Sequence, residues 1–215
     1  MEILSVNIGS LNKIMRNGKK VRSGIFKQSV EGPVEVHSLG LKGDYQANMK
    51  LHGGIDKAIC VYPAEHYDWW SDELKKPDLP FGSFGENLTT FGLMEDTICI
   101  GDSFRIGSAE VTVTQPREPC VTLNARFGRE DLAMRFKNSG KSGFYFSVTK
   151  EGTLNRGDEI EHIFKDENKV FISEFNRVLN GDRGLEGIMR RASKVIHLPK
   201  KLKDRLIKKL GSLGV

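Results

Sequence analysis

Cysteine is scarce in this chain: 215 residues contain three, at positions 60, 99 and 120. None forms a Cys-x-x-Cys pair and no His-x-x-x-His accompanies them, so neither a disulfide framework nor a zinc site is expected. No apolar run approaches the ~18 residues of a membrane span. The first residues, Met1-Glu2-Ile3-Leu4-Ser5, show no basic segment leading into a long apolar one, so no signal peptide is expected. A cytoplasmic protein without a membrane partner is the expectation. Flavin, haem and iron–sulfur signatures are missing as well.

Acid is scarce at one end. The net charge is +5, yet residues 190–215 carry nine Lys or Arg against one acid, Asp204. The remainder is slightly acidic, so the basic isoelectric point belongs to the tail. A basic helical face can meet nucleic acid, an acidic partner or only water; nucleic acid is not the expected partner.

What is present begins with Gln115-Pro116-Arg117-Glu118-Pro119-Cys120. The alternating run Glu110 to Thr114 predicts a strand that ends at Pro116, where two prolines stiffen the loop that follows. Arg117 precedes the thiol by three residues, and a nearby cation favours thiolate over thiol. Cys120 is therefore a candidate nucleophile or soft-metal ligand, with a half-buried loop cysteine as the plain alternative. Cys60 and Cys99 sit in short apolar runs that read as strands, with no cation beside them in sequence. There cysteine serves as a small hydrophobe.

A second stretch, Leu39 to Ala58, places Gly53-Gly54 between candidate strands. Adjacent glycines let the backbone approach a ligand and turn N–H groups inward. His52, Asp56 and Lys57 surround them, able together to donate, accept and neutralise charge. Gly82 to Thr89 is another glycine-flexed segment with polar groups to present. Lys19 to Lys27 predicts a strand with four cations, either a solvated basic edge or one wall of an anion site. Gly140-Lys141-Ser142 is not a phosphate loop, because Arg135 stands where the first glycine belongs.

Further strands are predicted at 2–8, 33–38, 97–106, 109–114, 144–148 and 159–164. Helices are predicted over 63–74, with His66 on a helix face, and over 129–137. Many short strands separated by turn residues imply a mainly β, barrel-like fold with some helix. After the polar joint Lys165 to Asn168 the apolar period becomes helical. It predicts three short amphipathic helices in 166–215, appended to a β domain over 1–165.

Four motifs, Lys42-Gly43-Asp44, His52-Gly53-Gly54-Ile55-Asp56-Lys57-Ala58, Gly85-Glu86-Asn87-Leu88 and Arg117-Glu118-Pro119-Cys120, occur in this order. With them the chain resembles MOSC-domain proteins, and among these the YiiM-type branch, whose C-terminal three-helix appendage matches residues 170–210. The resemblance implies a barrel that binds molybdenum cofactor (molybdopterin), with Cys120 as the ligand to molybdenum. It implies cofactor contacts from Asp44, His52, Gly53, Gly54, Asp56, Lys57, Gly85, Asn87 and Arg117. A soft thiolate suits a thiol-rich molybdenum centre, and backbone N–H groups with Lys or Arg suit a pterin phosphate. The implied activity is reduction of small N-hydroxylated compounds, N-hydroxylated purine bases among them, as a detoxification, with electrons from a separate reductase. A cofactor or sulfur carrier using a Cys120 persulfide is the alternative, followed by a cysteine hydrolase pairing Cys120 with His52 or His66. Homodimer formation is left open.

Overall fold

In a computed structural model, which describes residues 1–16, 18–46 and 53–212, one mixed sheet dominates the chain. Its strands are β1 (Glu2–Gly9), β4 (Lys27–Ser29), β7 (Ile59–Pro63), β8 (Leu88–Phe91), β9 (Ser103–Ile106), β10 (Ala109–Pro116), β11 (Phe144–Lys150) and β13 (Ile160–Phe164). The order is β13-β9-β10-β11-β7-β8-β1-β4. All neighbours are antiparallel except β7 and β8. The sheet curls until its far edges approach: Ile3 N–H donates to the Asp158 carbonyl and Ile160 N–H to that of Met1, at 3.0 and 2.8 Å. This is the barrel-like, mainly β architecture expected from the sequence.

Two smaller sheets lie beside it. A ribbon pairs β2 (Asn12–Arg16) with β3 (Lys19–Ser23), and β5 (Val34–His37) bridges β6 (Gly40–Leu41) and β12 (Gly152–Leu154). The expected strand over 19–27 is thus two strands, broken at Gly24. A Cβ there would lie 1.8 Å from the Tyr45 carbonyl oxygen, so the crossing of these segments requires glycine.

Helices α1 (Tyr67–Leu74), α2 (Thr122–Phe127) and α3 (Leu132–Ser139) cover one side of the sheet. Behind them Tyr62, Tyr67, Trp70, Phe84 and Phe136 form an aromatic cluster, with Trp70 and Phe136 stacked at 5.3 Å. Gly140 closes α3 at φ +72°, a helix stop where a phosphate loop was rejected. The expected strand at 97–100 is instead a turn with a single bridge, Cys99 to Phe171. The buried Asp102 carboxylate accepts the Cys99 N–H at 2.9 Å, and this local bond displaces the strand ladder.

The expected three helices are α4 (Ile172–Asn180), α5 (Glu186–Lys194) and α6 (Lys200–Ser212). Their apolar stripes, Phe175, Met189, Ala192, Leu206 and Leu210 among them, belong to the same continuous core as Ile3, Val111 and Phe146 of the sheet. Backbone bonds join the two as well, Ile100 N–H to the Val170 carbonyl and Ile172 N–H to that of Ile98. Phe175 is fully buried at this junction. Phe175→Ala should cost about 3–5 kcal/mol through cavity formation. Ile207→Ala on the exposed side of α6 should stay within about 0.5 kcal/mol. Chemical denaturation of both variants measures the contrast.

Candidate active site

The sharp Arg117–Cys120 loop leaves β10 at its inner end and opens onto a cavity of about 390 Å³. That size lies within the range of small-molecule sites. Cys120, Arg117, Lys57, Gly85 and Asn87, all sequence candidates, line it together. So do Arg22, Lys27, Tyr45, Gln46, Cys60, Thr122 and Tyr145, which the sequence did not single out as site residues. Only the cationic stretch 19–27, read as a candidate anion wall, pointed towards some of them.

The thiol of Cys120 is partly exposed. Thr122 N–H donates to its sulfur at 3.5 Å and the Thr122 hydroxyl stands 3.1 Å away, and both contacts help to orient the Sγ. Arg117 is buried against the aromatic cluster, its guanidinium 5.4 Å from the Phe136 ring centroid. Nη2 donates to the Phe84 carbonyl at 2.5 Å. Nη1 is buried with no partner among the described residues, and so is Gln46 Oε1. A buried donor and a buried acceptor, both unsatisfied on the wall of one cavity, mark places where a ligand completes the bonding.

Burial works against charge on Arg117, but the surrounding Cys60, Tyr145 and Glu86 outweigh it and keep the guanidinium protonated. Burial pulls the Lys57 ammonium below the usual lysine range; Glu118 opposes this, and the Lys201 charge from α6 adds to it. Lys57 Nζ lies 5.6 Å from the Tyr145 ring centroid. Burial pushes the Tyr145 phenol and the Cys60 thiol up, with Arg117 opposing in both. The fold thus gives Cys60 the cation that its sequence neighbourhood lacks. Cys99, remote from the cavity wall, is pushed to about 12 by burial and by Asp102.

Loop 82–86 is shaped by Glu86, fully buried, whose carboxylate accepts the Gly82 N–H at 2.8 Å, the Phe84 N–H at 3.1 Å and the Tyr67 hydroxyl. Gly85, at φ +85°, passes so near Ile25 that a Cβ would meet it at 2.9 Å. Gly54, at φ +92°, opens the turn Ile55–Lys57 that presents Lys57. A bulge in β10 frees the Thr114 hydroxyl to hold that turn through the Asp56 carbonyl at 2.7 Å.

Other candidates lie off the wall. The Asp56 residue is exposed, Gly54 accepts the Lys57 N–H at 3.0 Å through its carbonyl, and neither Gly53 nor Gly54 lines the cavity. Asp44 is a buried hub: its carboxylate accepts Lys27 Nζ at 2.5 Å, Asn87 Nδ2 at 2.9 Å and the Gly9 N–H at 2.7 Å. It therefore acts on the cavity through Lys27 and Asn87. His66 is buried, bonded to Glu95 at 2.8 Å, and does not line the Cys120 cavity. His52 lies outside the described residues. Among the described residues no cluster of three or more His, Cys, Asp or Glu could hold a metal.

Residues 48–161 match the MOSC domain family. Uncharacterized protein YflK of Bacillus subtilis (strain 168) is 42% identical over 176 residues, 82% of this chain and 79% of that one. A protein named reductase in Gibberella moniliformis is 33% identical over 180 residues, 82% of this chain but 32% of the fungal protein. The crystal structure of YiiM from Geobacillus stearothermophilus superposes with a TM-score of 0.81 at 32% identity, over 97% of this chain and 98% of that one. The chain belongs to the MOSC domain family, and its whole-length likeness is to YiiM.

The Asp44 hub gives a test. Asp44→Ala leaves Lys27 buried without a counter-charge and should cost about 3–5 kcal/mol. Adding Lys27→Met should recover a large part of that loss, because it removes the stranded ammonium. A double-mutant cycle by denaturant unfolding reads the coupling; strict additivity would show that the pair does not act as a unit.

Proposed function

We propose that this protein is a molybdenum cofactor-dependent reductase of N-hydroxylated compounds, N-hydroxylated purine bases among them, receiving electrons from a separate reductase. The observation that carries the reading is one cavity holding a partly exposed thiol beside Arg117, Lys57 and two buried polar atoms without a partner among the described residues. The name of the fungal relative supports a reductase. The donor set fits the cofactor: Cys120 offers the soft sulfur that a molybdenum centre prefers. Arg117 Nη1 and Lys57 offer charge-assisted bonds to a pterin phosphate, worth roughly 1.5–3 kcal/mol each. The Gly85 backbone lines the same cavity.

When bound, the molybdenum cofactor supplies the two-electron redox centre. The chain's own groups do the rest. Gln46 Oε1 accepts an N–H of a heteroaromatic ring, which suits either the pterin or a purine substrate. Lys57, with its ammonium made more acidic by burial, is placed to deliver a proton within the cavity, and Tyr145 keeps its phenolic proton. The aromatic cluster behind Arg117 excludes water from that side. Residues 1–165 carry this chemistry in our reading, and 166–215 support it structurally.

Cys120→Ser protein from a molybdenum-replete host should fold normally and lose reduction of an N-hydroxylated purine by dithionite. Cys99→Ser, remote from the cavity, should retain turnover, with changes chiefly in stability. Full activity of Cys120→Ser would remove the ligand assignment. Molybdenum-free protein that instead hydrolyses an ester or amide, and is stopped by thiol alkylation, would favour the hydrolase.

A further inference from the structure

Between Ile3 and Val30 the sequence has no acidic residue and six Lys or Arg: Lys13, Arg16, Lys19, Lys20, Arg22 and Lys27. Five of them fall on the β2–β3 ribbon. Register places Lys13 opposite Arg22 and Met15 opposite Lys20. These four side chains share one face of the ribbon, and all are exposed. The other face is turned inward, with Ile14 and Ser23 buried and β2 packed on α2.

Like charges directly opposite each other weaken a ribbon. Elsewhere on the surface Lys42, Arg105 and Arg135 are each paired with a carboxylate. Lys13, Lys20 and Arg22 have none within 4.0 Å among the described residues. The face is thus built against the ribbon's own stability. The ribbon also borders the cavity, since Val21, Arg22 and Ser23 line it.

The proposed reaction, R–NHOH + 2e⁻ + 2H⁺ → R–NH₂ + H₂O, consumes reducing equivalents that a donor must bring to the cavity. Resting on that reading, we infer that the Lys13, Met15, Lys20 and Arg22 face of the β2–β3 ribbon is the docking surface for an electron-transfer protein with an acidic face. Charge complementarity sets the sign of the partner. The thioether of Met15, 55% exposed amid the cations, suits the mixed core of a protein interface more than a phosphate backbone.

The test uses the full-length, cofactor-loaded protein with reduced flavodoxin, an acidic flavoprotein, as the probe donor, and with dithionite as the small one. The variant is Lys13→Glu/Lys20→Glu. It leaves the cavity-lining Arg22 in place and sets a carboxylate opposite it, so the ribbon gains a favourable cross-strand pair. Flavodoxin-driven kcat/KM should fall roughly tenfold or more at low ionic strength and lose most of its salt dependence. The dithionite-driven rate should be unchanged, and flavodoxin affinity by calorimetry should fall in parallel with the flavodoxin-driven rate. Equal flavodoxin rates and affinities in both proteins, no flavodoxin binding to the wild type, or equal loss with both donors would overturn the inference. Tighter, variant-sensitive binding of a DNA duplex than of flavodoxin would also overturn it and assign the face to nucleic acid. If the wild type fails to reduce the N-hydroxylated base with dithionite, the functional reading fails instead, and the flavodoxin affinities alone decide the docking surface.

Discussion

The cavity depends on one buried carboxylate. Asp44 lies in the turn after β6 and gathers the Gly9 backbone, the Lys27 ammonium and the Asn87 amide into a single set of bonds. Asn87 passes the constraint on: its Oδ1 accepts the Cys60 N–H at 3.1 Å, and its Nδ2 also reaches the Asn7 carbonyl at 3.4 Å. Strands β1, β4, β7 and β8 are thereby fixed relative to one another at the floor of the site. A desolvated ion pair contributes little net stability when replaced by apolar groups, yet breaking it on one side is costly. Its value here is geometric, because two of the groups it holds are cavity walls.

Fold class was legible because the signals were local. Alternation in Glu110 to Thr114, the apolar period of 171–210 and turn residues between short runs each point to an element without long-range knowledge. Leu88–Phe91 was not legible as a strand: Leu88, Thr89 and Thr90 are all buried, so no alternation survives. α2 was hidden too, being six residues long beside two prolines. The site was legible where chemistry sits in one segment, as at Arg117 and Cys120. It was not where topology assembles it. Tyr145 pairs with Cys60 in register across β11 and β7, and nothing near either residue announces a shared cavity. Asp44 was found as a motif residue, but its place behind the wall follows only from the fold.

The helical segment is linked to the site by charge as well as packing. Its apolar stripes continue the core of the sheet, while Lys201 lies close enough to Lys57 to act on its protonation. Residues 1–189 are slightly acidic even with the cations of the β2–β3 ribbon included, so positive charge is gathered on that ribbon and on the C-terminal helices. Arg22 of the ribbon and Lys201 of α6 thus set positive charge at and beside the cavity.

In our proposal Cys120 and Arg117 hold a molybdenum cofactor in this cavity. The most direct measurement is elemental analysis of protein purified from a molybdenum-replete host, comparing the wild type with Arg117→Met, which keeps an apolar contact on Phe136 and removes the charge. The wild type should carry stoichiometric molybdenum and folded Arg117→Met should be clearly depleted. Folded wild-type protein free of molybdenum, or an Arg117→Met variant that retains it in full, would rule out this assignment.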